Sequence, residues 1–452
     1  MNRKEKGVWF AKEKLVTFAG ENTKKPNSDG KDNTFCANNT KNPRGIVKQI
    51  VKEYDTDKYA KGFNSWSHLV SMVFCQFANC VSLREISNGL KSATGNLNVF
   101  VKPRAEGKLA FTMQRRENVC CEATNHLGIT RAPSKSNLAY QNEHRSSDMF
   151  KECYYKLLEY FGQQAAFPRR KFRIKAPVKL LDSTLVSLCL SLYDWALYTH
   201  TKGAVKLHTL LDFDILLPEY VYISDGKGAD NVKAWEVPIK PGCVVVADRI
   251  YSVLDLLNDW DSRGVFFVVR HKGDLRYHRV EERELPSVRH QDILIDEIIE
   301  LDGAMAKGKY PKRLRRIAVY NEDGYVVELL TNNFSWAAST MAQLYKSRWM
   351  IEIFFRNLKQ NLHIKSFVGT SRNAVEIQIW TALITMLLMS YLRQTAKYDW
   401  HFSNLVSSLR LNTFTKIDLQ KWLDEPFSPP PDESETDVGV SALFVSVVQP
   451  SN

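Results

Sequence analysis

The chain has 452 residues, of which 44% are hydrophobic and 11% aromatic, enough for about three domains with real cores. Its formal net charge of +12 favours a polyanionic partner. Nucleic acid is the first candidate, and a basic protein without such a partner is the alternative. The eight cysteines form no Cys-x-x-Cys pair, which argues against a zinc site, and most lie in apolar runs typical of free thiols in a reducing cytosol.

The N-terminal part of the sequence predicts a flexible segment followed by a helical DNA-binding domain. Residues 1–40 are rich in Lys, Asn, Thr and Gly without an apolar period, and their polar start shows no signal peptide. Apolar positions return at helical spacing from Phe63 to Leu90, where Ser82 and Glu85 have the spacing of a capping box. We assign 41–160 to the helical domain. Within it, the charged and aperiodic stretch 98–125 is predicted to be an insertion or a mobile loop.

A second short helix in this domain, capped by Ser134 or Ser136, has the composition of a DNA reader. Its expected exposed side chains can bond base edges and phosphates: Asn137, Tyr140, Gln141, Asn142, His144 and Arg145. With the preceding helix it suggests a helix-turn-helix-like arrangement, and an ordinary helical hairpin is the alternative. The basic residues that follow, Arg169, Arg170 and Lys171, are interpreted as a linker along phosphates or as a solvated loop.

The middle of the chain predicts an α/β domain. Between 176 and 270, the apolar runs "VKLLD", "AVKLHTLLDF", "CVVVAD" and "GVFFVVR" predict strands, with a helix in "IYSVLDLLNDW". The range 271–335 is strand-rich and is interpreted as a β-rich insertion in that domain. Its basic run is predicted to contact a polyanion, or else to be a solvated hairpin tip; the residues are Lys312, Arg313, Arg315 and Arg316.

Helices are predicted again over 336–423, followed by an acidic, Pro-rich tail at 424–452 that is expected to be disordered. The most apolar stretch, Ile377 to Leu392, contains Gln378 and Thr381 and is shorter than a membrane span of about 20 residues. It predicts a buried helix rather than a membrane segment.

Two predicted strands end in an aspartate, Asp182 and Asp248. Carboxylates at strand ends of an open α/β sheet point into the crevice where ligands bind, and two of them in a basic protein suggest a site for a hard cation. The alternative is that either residue starts a turn or caps a helix.

A third acidic residue lies in the predicted helix 344–362. At 100° per residue, Tyr345, Arg348, Glu352 and Lys359 share a stripe about 60° wide, next to the apolar face rather than opposite it. A carboxylate flanked by cations suits a metal ligand with phosphate-binding groups beside it. An ordinary Arg348–Glu352 pair at the edge of the core is the alternative.

These residues resemble a known family. The spacing Tyr345-x2-Arg348-x3-Glu352-x6-Lys359 is similar to the Tyr-Arg-Glu-Lys signature of the DDE transposases of insertion-sequence family four, found in bacteria. "LLDST" around Asp182, "VVVADRIY" around Asp248 and "GVFFVVRHKGD" resemble further motifs of that family, and the resemblance covers roughly residues 60–400.

The resemblance implies an α/β, RNase H-like catalytic domain interrupted by a β-rich insertion and preceded by a helical DNA-binding domain. It implies that Asp182, Asp248 and Glu352 hold Mg²⁺, with Mn²⁺ as a substitute, for cut-and-paste transposition. Tyr345, Arg348 and Lys359 would bind double-stranded DNA. Arg249 is predicted as a further DNA contact. The resemblance also implies a homodimer or higher multimer that acts on paired element ends. The protein would lie in the bacterial cytoplasm at the nucleoid, without a membrane.

Departures from the family pattern keep other functions open. Ile250 stands where many relatives have Gly, and no Trp lies between 264 and 335, so a hairpin intermediate is not inferred. His200 and His208 are interpreted as structural. A decayed or domesticated transposase that binds DNA without cutting it, and another RNase H-like nuclease, are the alternatives.

Overall fold

The computed structural model describes residues 42–93, 129, 132–163, 167 and 174–426, apart from 61, 197, 200–201, 272, 274, 286–292, 322, 363, 365 and 412–418. The expectations for 1–40, for 98–125, for Arg169, Arg170 and Lys171, for His200 and for most of the tail fall outside these residues.

The centre of the protein is a mixed sheet of nine strands. They are β1 Val178–Leu188, β2 Gly203–Asp212, β3 Pro218–Asp225, β4 Val244–Ala247, β5 Phe266–Arg270, β6 Tyr277–Glu282, β7 Ile293–Leu301, β8 Leu314–Tyr320 and β9 Val326–Thr331. Their order across the sheet is β3-β2-β1-β4-β5-β9-β8-β7-β6. β4 is parallel to both β1 and β5, and the other neighbouring pairs are antiparallel.

The strand-rich range after β5 continues this sheet. β9 pairs with β5 through Val268–Thr331, and β8, β7 and β6 then add on in antiparallel order. The predicted strands "DILIDEIIEL", "RRIAVY" and "YVVELLT" correspond to β7, β8 and β9. The β-rich part therefore shares its hydrogen bonding with the α/β layer rather than forming a second sheet.

Helices cover both faces of the sheet. They are α1 Pro43–Glu53, α2 Ser65–Ala78, α3 Leu83–Ala93, α4 Lys135–His144, α5 Ser147–Gln163, α6 Asp230–Lys233, α7 Leu254–Ser262, α8 Ala304–Lys309, α9 Ala338–Ser347, α10 Trp349–Asn361, α11 Arg372–Thr395, α12 Phe402–Leu411 and α13 Leu419–Asp424. Because strand side chains alternate, Val244 and Val246 of β4 join one core, while Val245 and Ala247 join another with α7. The buried β-branched run of β4 is thus explained by helices on both sides.

The N-terminal helices share the first of these cores with the C-terminal helices. α11 packs against α2, α4, α5 and α12, and its buried side chains lie in one cluster with those of α2 and α5. By length and composition α11 could cross a membrane, yet 83% of its apolar window is buried inside the protein. It is the buried helix that the sequence predicts.

Side-chain caps begin several helices, and two of them were predicted. The Ser82 hydroxyl accepts from the Glu85 N–H at 3.3 Å, and Glu85 Oε2 accepts from the Val81 N–H at 2.9 Å. The Ser134 hydroxyl accepts from the Asn137 N–H at 3.2 Å and so caps α4. Both capping predictions are confirmed.

Helix α4 differs from its prediction at two positions. Asn142 and Arg145, expected on the surface, are buried with 1% and 4% exposure. Asn142 Oδ1 lies 2.6 Å from His68 Nε2, and the Arg145 guanidinium donates to the Phe63 carbonyl at 3.2 Å. These two residues therefore join α4 to α2 rather than facing a partner.

The predicted helix over 344–362 is also corrected: it breaks at Arg348, between α9 and α10. The Arg348 N–H bonds the Tyr345 carbonyl at 3.0 Å and the Ile351 N–H bonds the Arg348 carbonyl at 3.1 Å, both spanning three residues instead of four. The backbone of Arg348 stays in the α region, with φ −53° and ψ −31°. Across the break Arg348 stays next to its stripe neighbours, because its guanidinium lies 2.7 Å from Glu352 and 5.9 Å from the centre of the Tyr345 ring.

Candidate active site

The first candidate carboxylate, Asp182, lies in the middle of β1 and not at its end as predicted. The parallel pairing of β1 with β4 ends at Leu181–Ala247, whereas its antiparallel pairing with β2 continues to Leu188–Gly203. β2 thus keeps the chain extended beyond the aspartate. Asp182 still lies level with the end of β4, where a cleft can open.

The second carboxylate, Asp248, follows the last residue of β4 and precedes a single 3₁₀ turn, Arg249–Tyr251. Leu180 and Val246 point to the same face of the sheet, and the period of two places Asp182 and Asp248 on that face as well. Helices α9 and α10 pack there, because α9 contacts β4 and β5 and α10 contacts β1.

The helices bring a tyrosine, an arginine and the third carboxylate to this face. The Tyr345 hydroxyl donates to Asp248 Oδ1 at 3.4 Å. Arg348 donates from Nη1 to Asp182 Oδ2 at 3.4 Å and from Nη2 to Glu352 Oε1 at 2.7 Å. All three predicted carboxylates are thus neighbours, connected through Tyr345 and Arg348.

The electrostatics of the site follow from this crowding. Burial raises the pKa of Asp182 to about 6; the Ser183 N–H and Arg348 oppose the shift, and Asp248 and Glu352 add to it. Burial works against the charge of Arg348, but Tyr345, Glu352 and the two aspartates together raise its pKa. The carboxylates therefore repel one another, and a cation among them relieves the repulsion.

The donors suit Mg²⁺ by their chemistry, since three carboxylates supply the hard oxygen ligands that this ion prefers. Within the part of the chain that the structure describes, however, no group of three or more His, Cys, Asp or Glu residues has the arrangement of a metal site. In this arrangement the guanidinium of Arg348 bridges Asp182 and Glu352. Arg348 thus contacts one oxygen of each of two carboxylates, Asp182 Oδ2 and Glu352 Oε1.

The remaining member of the predicted stripe, Lys359, lies two turns further along α10 and is half-buried. It follows Glu352 by seven positions, about 10 Å along the helix axis. Lys359 is thus on the same stripe but further from the carboxylates than Arg348 is.

A cavity of about 510 Å³ opens at the 3₁₀ turn that follows Asp248. It is lined by Ala229, Asp230, Asn231, Arg249 and Ile250. Asp230 was not singled out from the sequence; its carboxylate accepts from the Ser183 hydroxyl at 2.6 Å and lies 3.2 Å from Lys206 Nζ. Nothing in the spacing of the sequence signals this contact, because it depends on the loop after β3. Arg249, predicted as a DNA contact, is exposed at the cavity.

Two of the basic residues predicted to bind a polyanion are buried, which corrects that expectation. Arg315 is 1% exposed and makes a two-pronged pair with Asp296 at 2.7 Å, and Arg316 is 8% exposed and pairs with Glu297. In the antiparallel pairing of β7 with β8, Glu297 lies directly opposite Arg316, whereas Asp296 reaches Arg315 diagonally. The opposite charges of "IDEII" and "RLRR" are compatible with such pairs, but the sheet register decides which arginines are buried.

Lys312 and Arg313, at the start of the same run, are exposed. Lys312 lies 2.7 Å from Asp261 and Arg313 lies 2.9 Å from Glu300, with about half of each basic side chain exposed, 53% and 58%. Such surface pairs contribute little to stability and can exchange for a phosphate.

His208 is buried at 2% exposure, and its Nε2 lies 3.1 Å from the Ser224 hydroxyl. Burial lowers its pKa to about 4. On β2 it lies opposite Ser183, the residue after Asp182, and its Nδ1 is 3.6 Å from Asp230.

The first five strands have the order β3-β2-β1-β4-β5. Acidic residues lie on β1, after β4 and on a helix of the same face. Together these features define an RNase H-like enzyme with an acidic site. The sequence matches the family described as Transposase DDE domain over residues 174–388. The chain belongs to the transposases that carry this domain. A second match, over residues 40–100, is to a domain of unknown function, DUF4372.

Relatives with curated descriptions agree with this assignment. The putative transposase y4zB of Sinorhizobium fredii is 31% identical over 259 residues, covering 57% of this chain and 71% of that protein. The probable transposase for insertion sequence element IS5377 of Geobacillus stearothermophilus is 29% identical, covering 52% of this chain and 62% of that protein. The putative transposase for insertion sequence element IS4SA of Synechocystis is 22% identical, covering 64% and 81%.

Proposed function

We propose that this transposase cuts the ends of a bacterial insertion sequence and joins the resulting 3′-OH to target DNA, with Asp182, Asp248 and Glu352 as its reactive carboxylates. The observation that carries the proposal is the chain of contacts from Asp182 through Arg348 to Glu352, with Asp248 on the same face bonded to Tyr345. Relatives named for insertion sequence elements support the substrate class.

The three carboxylates would hold Mg²⁺ or Mn²⁺. Such ions, when bound, activate a water molecule and neutralise the oxygen that leaves phosphorus. The protein must then place the scissile phosphate against these carboxylates and keep it there.

Arg348 is the residue best suited to that placement. Its planar fork of N–H donors matches a phosphate as well as it matches a carboxylate. Tyr345, whose hydroxyl bonds Asp248, fixes the direction of that carboxylate and closes the side of the cleft towards α9. Lys359, on the same stripe, is proposed to contact the strand further along.

The DNA duplex is proposed to lie across the basic surfaces around this cleft. Arg249 at the cavity and the exposed Lys312 and Arg313 would contact phosphates. We add Arg169, Arg170 and Lys171 to this set as a prediction from the sequence.

Helix α4 is proposed to read the element end. Its exposed side chains include Asn137, Tyr140 and His144, and the rings of Tyr140 and His144 stack at 4.1 Å. Asn and His side chains can bond base edges in the major groove. The buried Asn142 and Arg145 would hold the helix in position from behind.

The finer family assignment, insertion-sequence family four, rests on the Tyr345, Arg348, Glu352 and Lys359 spacing and is part of the proposal. So are the homodimer or higher multimer on paired ends and the location in the bacterial cytoplasm at the nucleoid. A transposase that binds DNA without cutting it is the second candidate, because no described group of acidic residues has the arrangement of a metal site.

Cleavage of a labelled DNA duplex distinguishes the two candidate functions. The duplex carries the element's own terminus, whose sequence is taken from the DNA flanking the gene. With Mg²⁺ present we expect the wild type to cut and Glu352→Gln to lose cleavage by on the order of a hundredfold or more, with binding retained. Arg356→Ala, on the exposed side of the same helix, is the matched control and should cut normally. Binding by the wild type without cleavage under any divalent ion would favour the second candidate.

A further inference from the structure

Arg348 has two carboxylate partners at the candidate site, and this double contact has a consequence for metal binding. Its side chain is 18% exposed, Asp182 is 22% exposed and Glu352 33%. The guanidinium therefore places a positive charge against two of the three carboxylates in a partly buried cleft, where charges are screened less than on the open surface.

A divalent ion held by Asp182 and Glu352 would compete with the guanidinium for one oxygen of each carboxylate. Asp182 Oδ2 and Glu352 Oε1 accept from Arg348 at 3.4 and 2.7 Å. An ion held by these oxygens would lie within a few ångströms of the guanidinium, and two cations so close repel each other strongly in a cleft of reduced dielectric. One of them must move before the other binds tightly.

A DNA phosphate offers the guanidinium another anion. The guanidinium of Arg348 can bind a phosphate through two parallel hydrogen bonds. Arg348 lies at the junction of α9 and α10, and its side chain is long and flexible. Such an exchange needs a rotation of the side chain and no movement of the sheet.

We propose that Arg348 couples metal binding to DNA binding: without DNA it occupies Asp182 and Glu352 and weakens the hold of a divalent ion, and a DNA phosphate draws it away so that the ion binds. The inference rests on the proposed function, since it takes these carboxylates as the metal ligands. Linkage makes the effect reciprocal, so a bound ion raises the affinity for DNA by the same factor. The enzyme would thereby hold its ion tightly only when substrate is present.

The sign of one substitution distinguishes this coupling from a purely positioning role. If Arg348 merely holds Glu352 in place, Arg348→Gln weakens metal binding because the ligand loses its support. If Arg348 competes with the ion, the same change removes a positive charge and strengthens metal binding without DNA.

The experiment measures Mn²⁺ binding to the full chain by electron paramagnetic resonance, with and without a 30-base-pair duplex. Asp182→Asn with the same duplex is the blank for ions held by the DNA. We expect the duplex to tighten Mn²⁺ binding to the wild type about tenfold, a coupling of roughly 1.4 kcal/mol. Arg348→Gln should bind Mn²⁺ about tenfold more tightly than the wild type without DNA and should respond little to the duplex.

Two further variants keep the result interpretable. Arg348→Lys retains the charge and should match the wild type in weak Mn²⁺ binding without DNA. Arg356→Gln, whose guanidinium lies over the Trp349 ring on the same helix, should leave both affinities unchanged. Thermal unfolding of every variant checks that it is folded.

Equal or weaker Mn²⁺ binding by folded Arg348→Gln, or a wild type that ignores the duplex, would overturn the coupling while leaving the proposed function intact. If Asp182→Asn binds Mn²⁺ as well as the wild type does, the assignment of the carboxylates falls, and the coupling falls with it.

Discussion

The Tyr345 hydroxyl and Asp248 Oδ1 lie 3.4 Å apart although the two residues are 97 positions apart in the chain. The contact connects α9 to the end of β4 and leaves the hydroxyl at the edge of the cleft. Burial raises the pKa of Tyr345, so the phenol stays protonated at neutral pH and remains a donor.

Tyr345→Phe should therefore lower activity more than stability. The change removes one hydrogen bond, with a net cost to folding of about 1 kcal/mol, and frees Asp248 to rotate. We expect cleavage of an element end to fall by about tenfold, on the order of 1.4 kcal/mol in transition-state free energy. Tyr325→Phe, at a surface position 72% exposed, is the matched control. Equal cleavage by Tyr345→Phe and the wild type would show that this contact is incidental.

The buried pair of Arg315 and Asp296 is expected to be structural. Arg315→Ala leaves Asp296 buried without its partner, which should lower the free energy of unfolding by about 3–5 kcal/mol. Lys312→Ala, at a surface pair, should change it by less than about 1 kcal/mol. Urea unfolding measures both. A small loss for Arg315→Ala would show that this pair does not stabilise the fold.

Asp182 should make stability depend on pH in a specific direction. Its pKa is raised to about 6 in the folded state from 3.8, so the folded protein holds this proton more tightly than the unfolded chain does. Stability from this group is fully present below about pH 4 and is lost as the pH rises through about 6.

Asp182→Asn removes that dependence. Relative to the wild type, the variant should gain stability between pH 4 and pH 7, by on the order of 2 kcal/mol. Comparing the two proteins by urea unfolding at each pH cancels the titration of other groups. A constant difference across this range would mean that the carboxyl of Asp182 titrates normally.

The two sides of helix α4 should separate stability from DNA binding. Asn142→Ala leaves the buried His68 ring without its 2.6 Å partner and should cost about 1–3 kcal/mol of stability. Tyr140→Ala, at a position 58% exposed, should leave stability nearly unchanged but weaken binding to the element end. Fluorescence anisotropy with a labelled end and thermal unfolding give the two readouts. Unaltered binding by Tyr140→Ala would remove α4 as the DNA reader.

Short sequence patterns predict much of this fold, because strand pairing faces, helix caps and buried helix faces depend on residues close together in the chain. The strand of "VVVA", the caps at Ser82 and Ser134 and the buried helix around Ile377 each follow from a short sequence and its period. The helical period also places Arg348 beside Glu352, although it does not predict the break at Arg348.

What the sequence misses depends on distant partners. β1 passes beyond Asp182 because β2 pairs with it, and Arg315 is buried because β7 supplies Asp296 opposite. Charge by itself could not tell the buried Arg315 from the exposed Arg313. The bridge that Arg348 makes to Asp182 joins residues 166 positions apart, and it depends on the packing of α10 over β1.

The most direct test of whether the three carboxylates act together is a strand-joining assay. It measures how fast a pre-cut, labelled element end is joined to a supercoiled plasmid with Mg²⁺. The chain and its variants Asp182→Asn, Asp248→Asn and Glu352→Gln would be compared at equal occupancy of the DNA. We expect the wild type to join the end and each variant to lose joining by on the order of a hundredfold or more, with DNA binding retained. Joining at the wild-type rate by any one of the three would contradict the assignment of that carboxylate and with it the shared site.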